Sequence, residues 1–310
     1  MRRGLWRWAL EVAREQCAAP RGIALRGGPA LHSRWFTVGR RRLHARVSDG
    51  PRPGEPSLTA VVLVHGVIVS SRYLLPTAVE LAADFPVLVP DLPGYGLSDP
   101  STGAADIATL ADAVIACAVA AGHDRVSLIG NSFGAQIVVE AALRHPDRVE
   151  RIALLGPTVD PAARSVVRQY LRWQRNAPDE HLSCIPVMAR DLIDVGARRA
   201  ARVLRLMVDD RIEDKLAHVH CPALVVRGGR DRVVPSAWAL RVARLLPRGD
   251  LAVVPGYAHM AHYSGALPVA SVLRAFLISA ADDAPIPPSS GLAVSTLARQ
   301  PDTHTAERDR

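Results

Sequence analysis

One short segment, Val-Ser-Leu-Ile-Gly-Asn-Ser-Phe-Gly at residues 126–134, constrains the fold of this chain more than any other. An apolar run of β-type residues leads Ser132 into the pattern G-x-S-x-G, and a helix-compatible run follows at once. Gly130 and Gly134 have no Cβ, so the backbone can turn sharply and the helix can pack closely on the sheet. The segment therefore predicts a strand, a tight turn and a helix, with the serine hydroxyl exposed at the turn.

Three further loops follow apolar runs of the same type. A His-Gly turn leads to Val67, whose backbone amide we expect to face a substrate oxygen, together with the amide of Phe133 after the serine. Asp231 follows a Gly-Gly turn, and His259 follows the next apolar run. The order serine, aspartate, histidine along the chain predicts a catalytic triad of Ser132, Asp231 and His259.

Each member of this triad has a predicted role and an alternative, which for Ser132 is a chance match to the five-residue pattern. Ser132 attacks a carbonyl, His259 accepts its proton, and Asp231 fixes the imidazole tautomer and stabilises the imidazolium. His262 is the nearest rival to His259, because it lies only three residues further along the chain. A buried, hydrogen-bonded histidine is the alternative for His259, and a turn-stabilising aspartate is the alternative for Asp231. For Asp91 we adopt the interpretation of a structural loop carboxylate.

Taken together, these motifs resemble those of the α/β-hydrolase superfamily over about residues 35 to 280. The matching segments are His65-Gly66, Asp91-Leu92-Pro93-Gly94-Tyr95-Gly96-Leu97-Ser98, Gly130-Asn131-Ser132-Phe133-Gly134, Gly229-Arg230-Asp231 and Ala258-His259. The resemblance implies a fold of the α/β class: a doubly wound, mostly parallel sheet with a helical cap inserted after the strand that ends near Leu155. Alternating strand-like and helix-like runs up to that strand predict the same sheet.

The resemblance also narrows the reaction. Dehalogenases and epoxide hydrolases of this fold carry aspartate at the elbow, so Ser132 argues against both. Gly-Asn-Ser-Phe-Gly is similar to the elbow of carbon–carbon bond hydrolases, but those enzymes usually have Gly-Pro-Gly and asparagine where this chain has residues 67–72. We expect a serine hydrolase that cleaves an ester, thioester or lactone of a small hydrophobic substrate. Hydrolysis of a diketone is the alternative, and a ligand-binding sensor that retains the triad is the alternative from another class.

The domain organisation follows from changes in pattern along the 310 residues. An amphipathic extension is predicted at residues 1–30 and a hydrolase domain at 31–280, with the helical cap at about 157–220. Residues 281–310 are rich in proline and polar residues, which predicts a disordered tail because such a segment buries little apolar area.

The cap region is helical in pattern and rich in arginine. Helices are predicted at 166–175, 186–195 and 197–208. Either His181 or Arg190 is a candidate to orient a substrate carboxylate, and solvent exposure is the alternative for both. Several large side chains line either a substrate pocket or the cap core, namely Tyr170, Leu171, Trp173, Met188 and Met207.

The charge of the chain is concentrated at one end. Residues 1–52 carry 12 arginines and three acidic residues, which gives this segment a formal charge of +9. The whole chain has a formal charge of +8, so the remaining residues are close to neutral. We therefore expect a small-molecule substrate and no nucleic acid partner. The four cysteines are scattered, which favours a reduced, cytoplasmic setting. No motif requires a cofactor or a metal ion, and His218-Val219-His220-Cys221 is interpreted as the entry to a strand.

The N-terminal segment has apolar residues on one side of a predicted helix and charged residues on the other. Arg7, Glu11 and Arg14 interrupt any continuous apolar run, so neither a cleaved signal nor a membrane span is expected. Two interpretations are open for residues 1–18: weak peripheral contact with an anionic membrane, or packing on the core of the chain itself. The sequence does not determine the oligomeric state.

Overall fold

The computed structural model describes residues 5–6, 9–10, 30–48, 58–100, 106–279 and 293–295, the last three by their backbone only. The predicted N-terminal extension and C-terminal tail therefore lie mostly outside the described residues. Leu5, Trp6, Ala9 and Leu10 are helical. Ala9 is fully buried, and Leu5 packs against the same apolar cluster, so this helical segment contacts the core of the chain.

A single mixed sheet, mostly parallel, forms the centre of the molecule. Its strands are β1 (Leu31–Val38), β2 (Arg41–Ser48), β3 (Ala60–Val64), β4 (Val87–Pro90), β5 (Val126–Asn131), β6 (Val149–Leu155), β7 (Ala223–Gly228), β8 (Gly249–Val254) and β9 (Ala293–Ser295). Their order across the sheet is β1-β2-β4-β3-β5-β6-β7-β8-β9. The neighbours from β4 to β8 are parallel, whereas β1–β2, β2–β4 and β8–β9 are antiparallel.

Helices connect the parallel strands and cover both faces of this sheet. They are α1 (Leu75–Leu81), α2 (Ile107–Ala120), α3 (Phe133–Arg144), α4 (Val166–Asn176), α5 (Cys184–Val195), α6 (Ala197–Asp209), α7 (Ile212–Lys215), α8 (Ser236–Leu245), α9 (Ala261–Ser264) and α10 (Ala266–Ile278). Asp106 caps α2 by accepting a hydrogen bond from the amide of Thr109 at 2.7 Å. Ser165 caps α4 in the same way through the amide of Arg168.

The two faces of the sheet carry separate apolar clusters. Val62 and Val64 of β3 point into a cluster that includes residues of α2, α3, α6 and α8. Val61 and Leu63 of the same strand point into a second cluster, with residues of α1 and α10. Successive side chains of a strand face opposite sides, so a strand covered on both faces must be apolar throughout. All five residues of β3 are buried, as this arrangement requires.

The helical insertion lies between β6 and β7 and consists of α4 to α7. The predicted fold class is confirmed, including the sheet and the position of the cap after Leu155. The helix α3 begins at Phe133, directly after the serine, and α5 begins at Cys184 instead of the predicted residue 186. In the described part of the chain, no helix is long and apolar enough to span a lipid bilayer.

Candidate active site

Ser132 lies at the turn between β5 and α3 in a strained backbone conformation, with φ of 55° and ψ of −116°. Positive φ is costly for a residue with a Cβ, and such strain is held only where the surroundings enforce it. Here the serine amide donates a hydrogen bond to the carbonyl oxygen of Leu155 at the end of β6, at 2.9 Å. The serine is 8% exposed, so only a small part of it is accessible to solvent.

The glycines on either side of the serine are required by close backbone contacts. A Cβ on Gly130 would overlap the carbonyl oxygen of Gly134, and a Cβ on Gly134 would overlap that of Val64 in β3. The first contact lies within the turn, and the second lies between α3 and the sheet. Both contacts agree with the reason for which the sequence pattern needs glycine at these two positions.

Asp231 and His259 form a direct pair at the ends of β7 and β8. His259 Nδ1 lies 2.8 Å from Asp231 Oδ2, and Oδ1 of the same carboxylate accepts hydrogen bonds from the amides of Val233 and Val234. The carboxylate is therefore fixed on both oxygens. With Nδ1 donating to Asp231, Nε2 is the nitrogen left to accept a proton. Burial lowers the pKa of His259, but the charge and hydrogen bond of Asp231, with the charge of Glu180, raise it above 6.5.

Gly156 links the serine to this pair. It follows Leu155, which accepts the amide hydrogen bond of Ser132, and a Cβ on Gly156 would lie 3.0 Å from Nδ1 of His259. The three predicted triad residues thus lie around the end of one strand. Among the described residues, no hydrogen bond joins Ser132 Oγ to the imidazole. Such bonds are often long in a free enzyme and shorten when substrate binds.

The turn at 65–67 lies against the serine, since a Cβ on Gly66 would be 3.3 Å from Ser132 Cβ. The amide of Gly66 is engaged, because it donates to the hydroxyl of Tyr73 at 2.7 Å. That hydroxyl in turn donates to Oδ1 of Asn131 at 2.6 Å. Tyr73, which the sequence analysis did not single out, therefore ties the turn before Val67 to the residue before the serine.

The two predicted oxyanion donors flank this arrangement. Val67 follows the engaged amide of Gly66 in the turn. Phe133 is the first residue of α3, where the amide has no partner within the helix. The residue after Val67, Ile68, has φ of 60°, an uncommon conformation for a β-branched side chain. Positive φ thus occurs at Ser132 itself and at Ile68, which directly follows the turn that lies against the serine.

His262, the rival to His259, has a different environment. It is fully enclosed, its ring packs edge-on against Tyr73 with centroids 4.7 Å apart, and neither ring nitrogen has a hydrogen-bond partner among the described residues. Burial, assisted by the charge of His259, lowers its pKa to about 3. No carboxylate among the described residues holds His262, so the geometry supports His259 as the base.

Asp91, interpreted as a structural carboxylate, connects three segments at the end of β4. It accepts hydrogen bonds from the amides of Ser71 and Leu97 and pairs with Nδ1 of His44 in β2 at 2.8 Å. Against the effect of burial, the His44 contact lowers the pKa of Asp91 well below its usual range. These contacts lie outside the pair formed by Asp231 and His259.

Two cap residues hold the loops that carry this pair, and no sequence signal pointed to them. Glu180 Oε1 accepts hydrogen bonds from the amide of Met260, at 2.9 Å, and from Nδ2 of Asn176, at 2.7 Å. Oδ1 of Asn176 accepts the amide hydrogen bond of Arg232 at 3.0 Å. Met260 and Arg232 are the residues that follow His259 and Asp231. The cap therefore fixes the backbone next to both members of the pair.

A second buried contact joins the cap to the turn before Tyr73. Nη1 of Arg72, a residue 1% exposed, lies 2.5 Å from Asp191 and 2.9 Å from Asp194, both on α5. The amide and hydroxyl of Ser70 donate to Asp191 at 2.8 Å each. Although burial lowers the pKa of Arg72, the surrounding carboxylates raise it above its ordinary value. This cluster holds α5 against the loop that carries Val67.

The other cap residues named from the sequence are placed as follows. Trp173 packs edge-on towards His259, with ring centroids 6.2 Å apart. Met207 lies on α6 and is buried in the first apolar cluster. Tyr170 and Leu171 are exposed, and Met188 packs against the second apolar cluster. The two candidates for orienting a carboxylate have partners within the cap: Arg190 pairs with Asp194, and His181 with Ser183.

Comparison with known proteins identifies the family of this chain. Residues 61–272 match the sequence profile of the Alpha/beta hydrolase family, which is more than half of the chain. The chain belongs to the alpha/beta hydrolase family. Pyrrolizixenacetamide deacetylase of Xenorhabdus hominickii is 26% identical over 257 residues, covering 74% of this chain and 93% of that protein. The 2-hydroxymuconate semialdehyde hydrolase of Pseudomonas sp. (strain CF600) is 25% identical over 226 residues, covering 65% and 79%.

Solved structures of other hydrolases share the fold of this chain. The enol-lactonase from Burkholderia xenovorans LB400 superimposes with a TM-score of 0.66 at 22% identity, covering 79% of this chain and 100% of that chain. A thermophilic esterase from Thermogutta terrifontis superimposes with a TM-score of 0.63, covering 79% and 97%. The proteins to which this α/β hydrolase is similar thus include several kinds of hydrolase.

Proposed function

We propose that this α/β hydrolase is a serine hydrolase that cleaves an ester, thioester or lactone of a small hydrophobic substrate through an acyl-enzyme on Ser132. The observation that carries the proposal is the 2.8 Å pair of His259 Nδ1 and Asp231 Oδ2, beside a serine held at positive φ. A serine hydroxyl is a weak nucleophile without a base, and a base held by a buried carboxylate is the arrangement that activates it.

The reaction follows from these groups. Ser132 Oγ adds to the substrate carbonyl carbon while Nε2 of His259 takes the hydroxyl proton, and the charge on the carbonyl oxygen is stabilised by the amides of Val67 and Phe133. The imidazolium then gives its proton to the leaving alcohol or thiol as the acyl bond breaks. A water molecule, deprotonated by His259, releases the acid and restores Ser132. The charge of Asp231 stabilises the imidazolium in both halves of the cycle.

The cap residues near His259 favour a substrate with a small apolar acyl group. Trp173 on α4 approaches His259, and both Ser132 and His259 are less than one tenth exposed, so little water reaches the reacting atoms. Relatives of this chain include a deacetylase, and structures of the same fold include an enol-lactonase and an esterase. All three names are consistent with transfer of an acyl group to water.

Two experiments test the proposal. The protein should react with a fluorophosphonate probe and hydrolyse short-chain p-nitrophenyl esters, and Ser132→Ala should lose both activities. Mass spectrometry of the labelled protein should place the phosphonyl group on Ser132. A folded wild-type protein that neither reacts nor hydrolyses any ester, thioester or lactone would favour a ligand-binding protein instead.

Hydrolysis of a carbon–carbon bond is the second candidate. The 2-hydroxymuconate semialdehyde hydrolase among the relatives supports it, as does the Gly-Asn-Ser-Phe-Gly elbow. Rates on a vinylogous diketone and on a p-nitrophenyl ester of similar size should be measured side by side. A larger kcat/KM for the ester supports the main proposal, and a larger value for the diketone supports the alternative.

A further inference from the structure

A cavity of about 610 Å³ lies between the loop that follows β4 and the beginning of α6. Its lining includes Pro93 to Gly96 on one side and residues 194–199, 202, 203 and 206 of the cap on the other, and none of the predicted triad residues. The volume falls in the range of small-molecule sites, which is about 300–1,000 Å³. The cavity is therefore large enough for a ligand of its own.

The wall formed by α6 is strongly positive. Arg198, Arg199 and Arg202 all line the cavity. Arg199 donates a hydrogen bond to the carbonyl oxygen of Gly94, whereas within the described part of the chain neither Arg198 nor Arg202 has an ion pair or hydrogen bond. The lining contains one carboxylate, Asp194, which two other arginines already pair with. Residues 101–105, which follow this loop in the chain, contain no acidic residue. The amides of the first turn of α6 add partial positive charge at the same end.

Tyr95 supplies an independent indication of a ligand. It lines the cavity and is 2% exposed, and its hydroxyl has no hydrogen-bond partner among the residues that the structure describes. Burial raises the pKa of this phenol, against the charge of Arg199, so the hydroxyl stays protonated and can donate. An unpaired buried hydroxyl is unfavourable. An acceptor atom bound in the cavity would remove that cost.

The lining also contains the apolar side chains of Leu110, Val195, Val203 and Leu206. These side chains would contact the body of a ligand rather than its charged group. On the inner side, the ring of Tyr95 packs edge-on against His65, with centroids 4.8 Å apart, and His65 is the first residue of the turn that lies against Ser132. The cavity is thus next to the reaction site but separated from it by two rings.

We propose that this cavity binds a small organic anion. Its carboxylate or phosphate group lies between the guanidinium groups of Arg198, Arg199 and Arg202 and accepts a hydrogen bond from the hydroxyl of Tyr95. Its apolar body packs against α6. Arginine binds both kinds of oxyanion through paired N–H donors, so the two share one recognition chemistry. The proposal concerns a second site and does not depend on the reaction at Ser132.

Binding should be measured by calorimetry on the full chain carrying Ser132→Ala, so that the predicted nucleophile does not react. The probes are benzoate, phenyl phosphate, inorganic phosphate and phenol. We expect saturable one-to-one binding of at least one organic anion, weaker binding of inorganic phosphate and none of phenol. The ratio of benzoate to phenyl phosphate affinity identifies the preferred anionic group.

Four variants test the assignment. Arg198→Ala, Arg202→Ala and Tyr95→Phe should each weaken binding by about tenfold, the value of one charge-assisted hydrogen bond. Arg205→Ala, an exposed arginine on the same helix outside the lining, is the matched control and should change affinity by less than about twofold. Without ligand, Tyr95→Phe should melt no lower than the parent, because it removes an unpaired hydroxyl. Equal binding of phenol and benzoate, no binding at all, or equal effects of Arg205→Ala and Arg198→Ala would overturn the proposal.

Discussion

Glu180 of the cap accepts a hydrogen bond from the backbone amide of Met260 at 2.9 Å, and so holds the residue next to His259 from 80 positions away in the chain. The charge of Glu180 also raises the pKa of His259, and burial raises the pKa of Glu180 itself. The cap therefore acts on both the position and the proton affinity of this imidazole. Glu180 does not contact the reacting atoms and is a positioning residue.

Two substitutions separate these effects of Glu180. Glu180→Gln keeps an acceptor for Met260 but removes the charge, so we expect the acid limb of the pH–rate profile to move to lower pH with little loss of plateau rate. Glu180→Ala leaves the amide of Met260 and the side chain of Asn176 without their partner. We expect it to lower kcat by about 10- to 100-fold, as small displacements of catalytic groups do. Equal profiles for Glu180→Gln and wild type would show that the charge has no effect.

The pH dependence of activity should follow His259, because the protonated imidazole cannot accept the proton of Ser132. Asp231 and Glu180 raise its pKa, so kcat/KM should fall as pH drops through a midpoint above 6.5. In Asp231→Asn, burial still lowers the pKa of His259 while the charge of Asp231 is lost, so the limb should move to lower pH. The plateau should also fall, on the order of 10³- to 10⁴-fold, since the tautomer is no longer fixed.

The raised pKa of His259 also makes the stability of the folded protein depend on pH. A histidine with a raised pKa in the folded state adds stability below pH 6.5, and this contribution is lost as pH rises through the folded pKa. In urea titrations from pH 5 to 9, the difference in the free energy of unfolding between wild type and Asp231→Asn should therefore be larger at low pH than at high pH. A constant difference across this range would contradict the assigned pairing.

Gly156 should be essential for activity because of what lies beside it, not because of its backbone angle alone. A Cβ there would press on the imidazole of His259, whereas Gly39 has a similar φ, 60° against 55°, and open space around it. Both Gly156→Ala and Gly39→Ala should lose about 1 kcal/mol or more of stability from positive φ. Only Gly156→Ala should also lose most esterase activity. Similar activities for the two variants would contradict the contact between Gly156 and His259.

Arg72 should stabilise the docked cap, since it is a fully buried cation between two carboxylates of α5. Arg72→Met removes the cation that faces Asp191, whose pKa burial raises to about 6 against the effect of Arg72. Above that pH the loss of the partner of a buried carboxylate costs up to about 3–5 kcal/mol in the free energy of unfolding, and uptake of a proton by Asp191 lowers this cost. Arg190→Met is the matched control, because Arg190 is half-exposed and pairs with the same Asp194, so it should cost at most about 1 kcal/mol. Chemical denaturation gives both values.

A double variant tests the same buried pair in a second way. Arg72→Met with Asp191→Leu removes both charges together and should recover part of the stability that Arg72→Met loses. Additive losses in the double variant would show that the two side chains do not interact.

His262 and His259 can be distinguished by one matched substitution. His262→Phe keeps an aromatic ring against Tyr73 and removes two buried nitrogens that lack partners among the described residues, so activity should persist. His259→Phe should abolish turnover of p-nitrophenyl esters. Circular dichroism checks that both variants are folded. If His262→Phe lost activity and His259→Phe kept it, His262 and not His259 would be the base.

Much of the site could be predicted from the sequence because its key positions follow one local rule. In a parallel sheet the carboxyl ends of the strands lie at the same edge, so polar residues directly after β5, β7 and β8 must lie near one another. An apolar run ending in a glycine turn identifies each position. The strained conformation of Ser132 and the close contacts of Gly134 were predictable for the same reason, since the G-x-S-x-G pattern encodes the turn locally.

The sequence by itself therefore determined the fold class, the position of the cap along the chain and the residues at the ends of the strands. Only the tertiary structure decided which cap residues meet them. Glu180 and Asn176 reach loops 80 and 56 positions away, and Arg72 meets Asp191 at a separation of 119. Contacts of that kind depend on how helices dock onto a completed sheet, and packing leaves no periodic or short-range pattern in the order of residues.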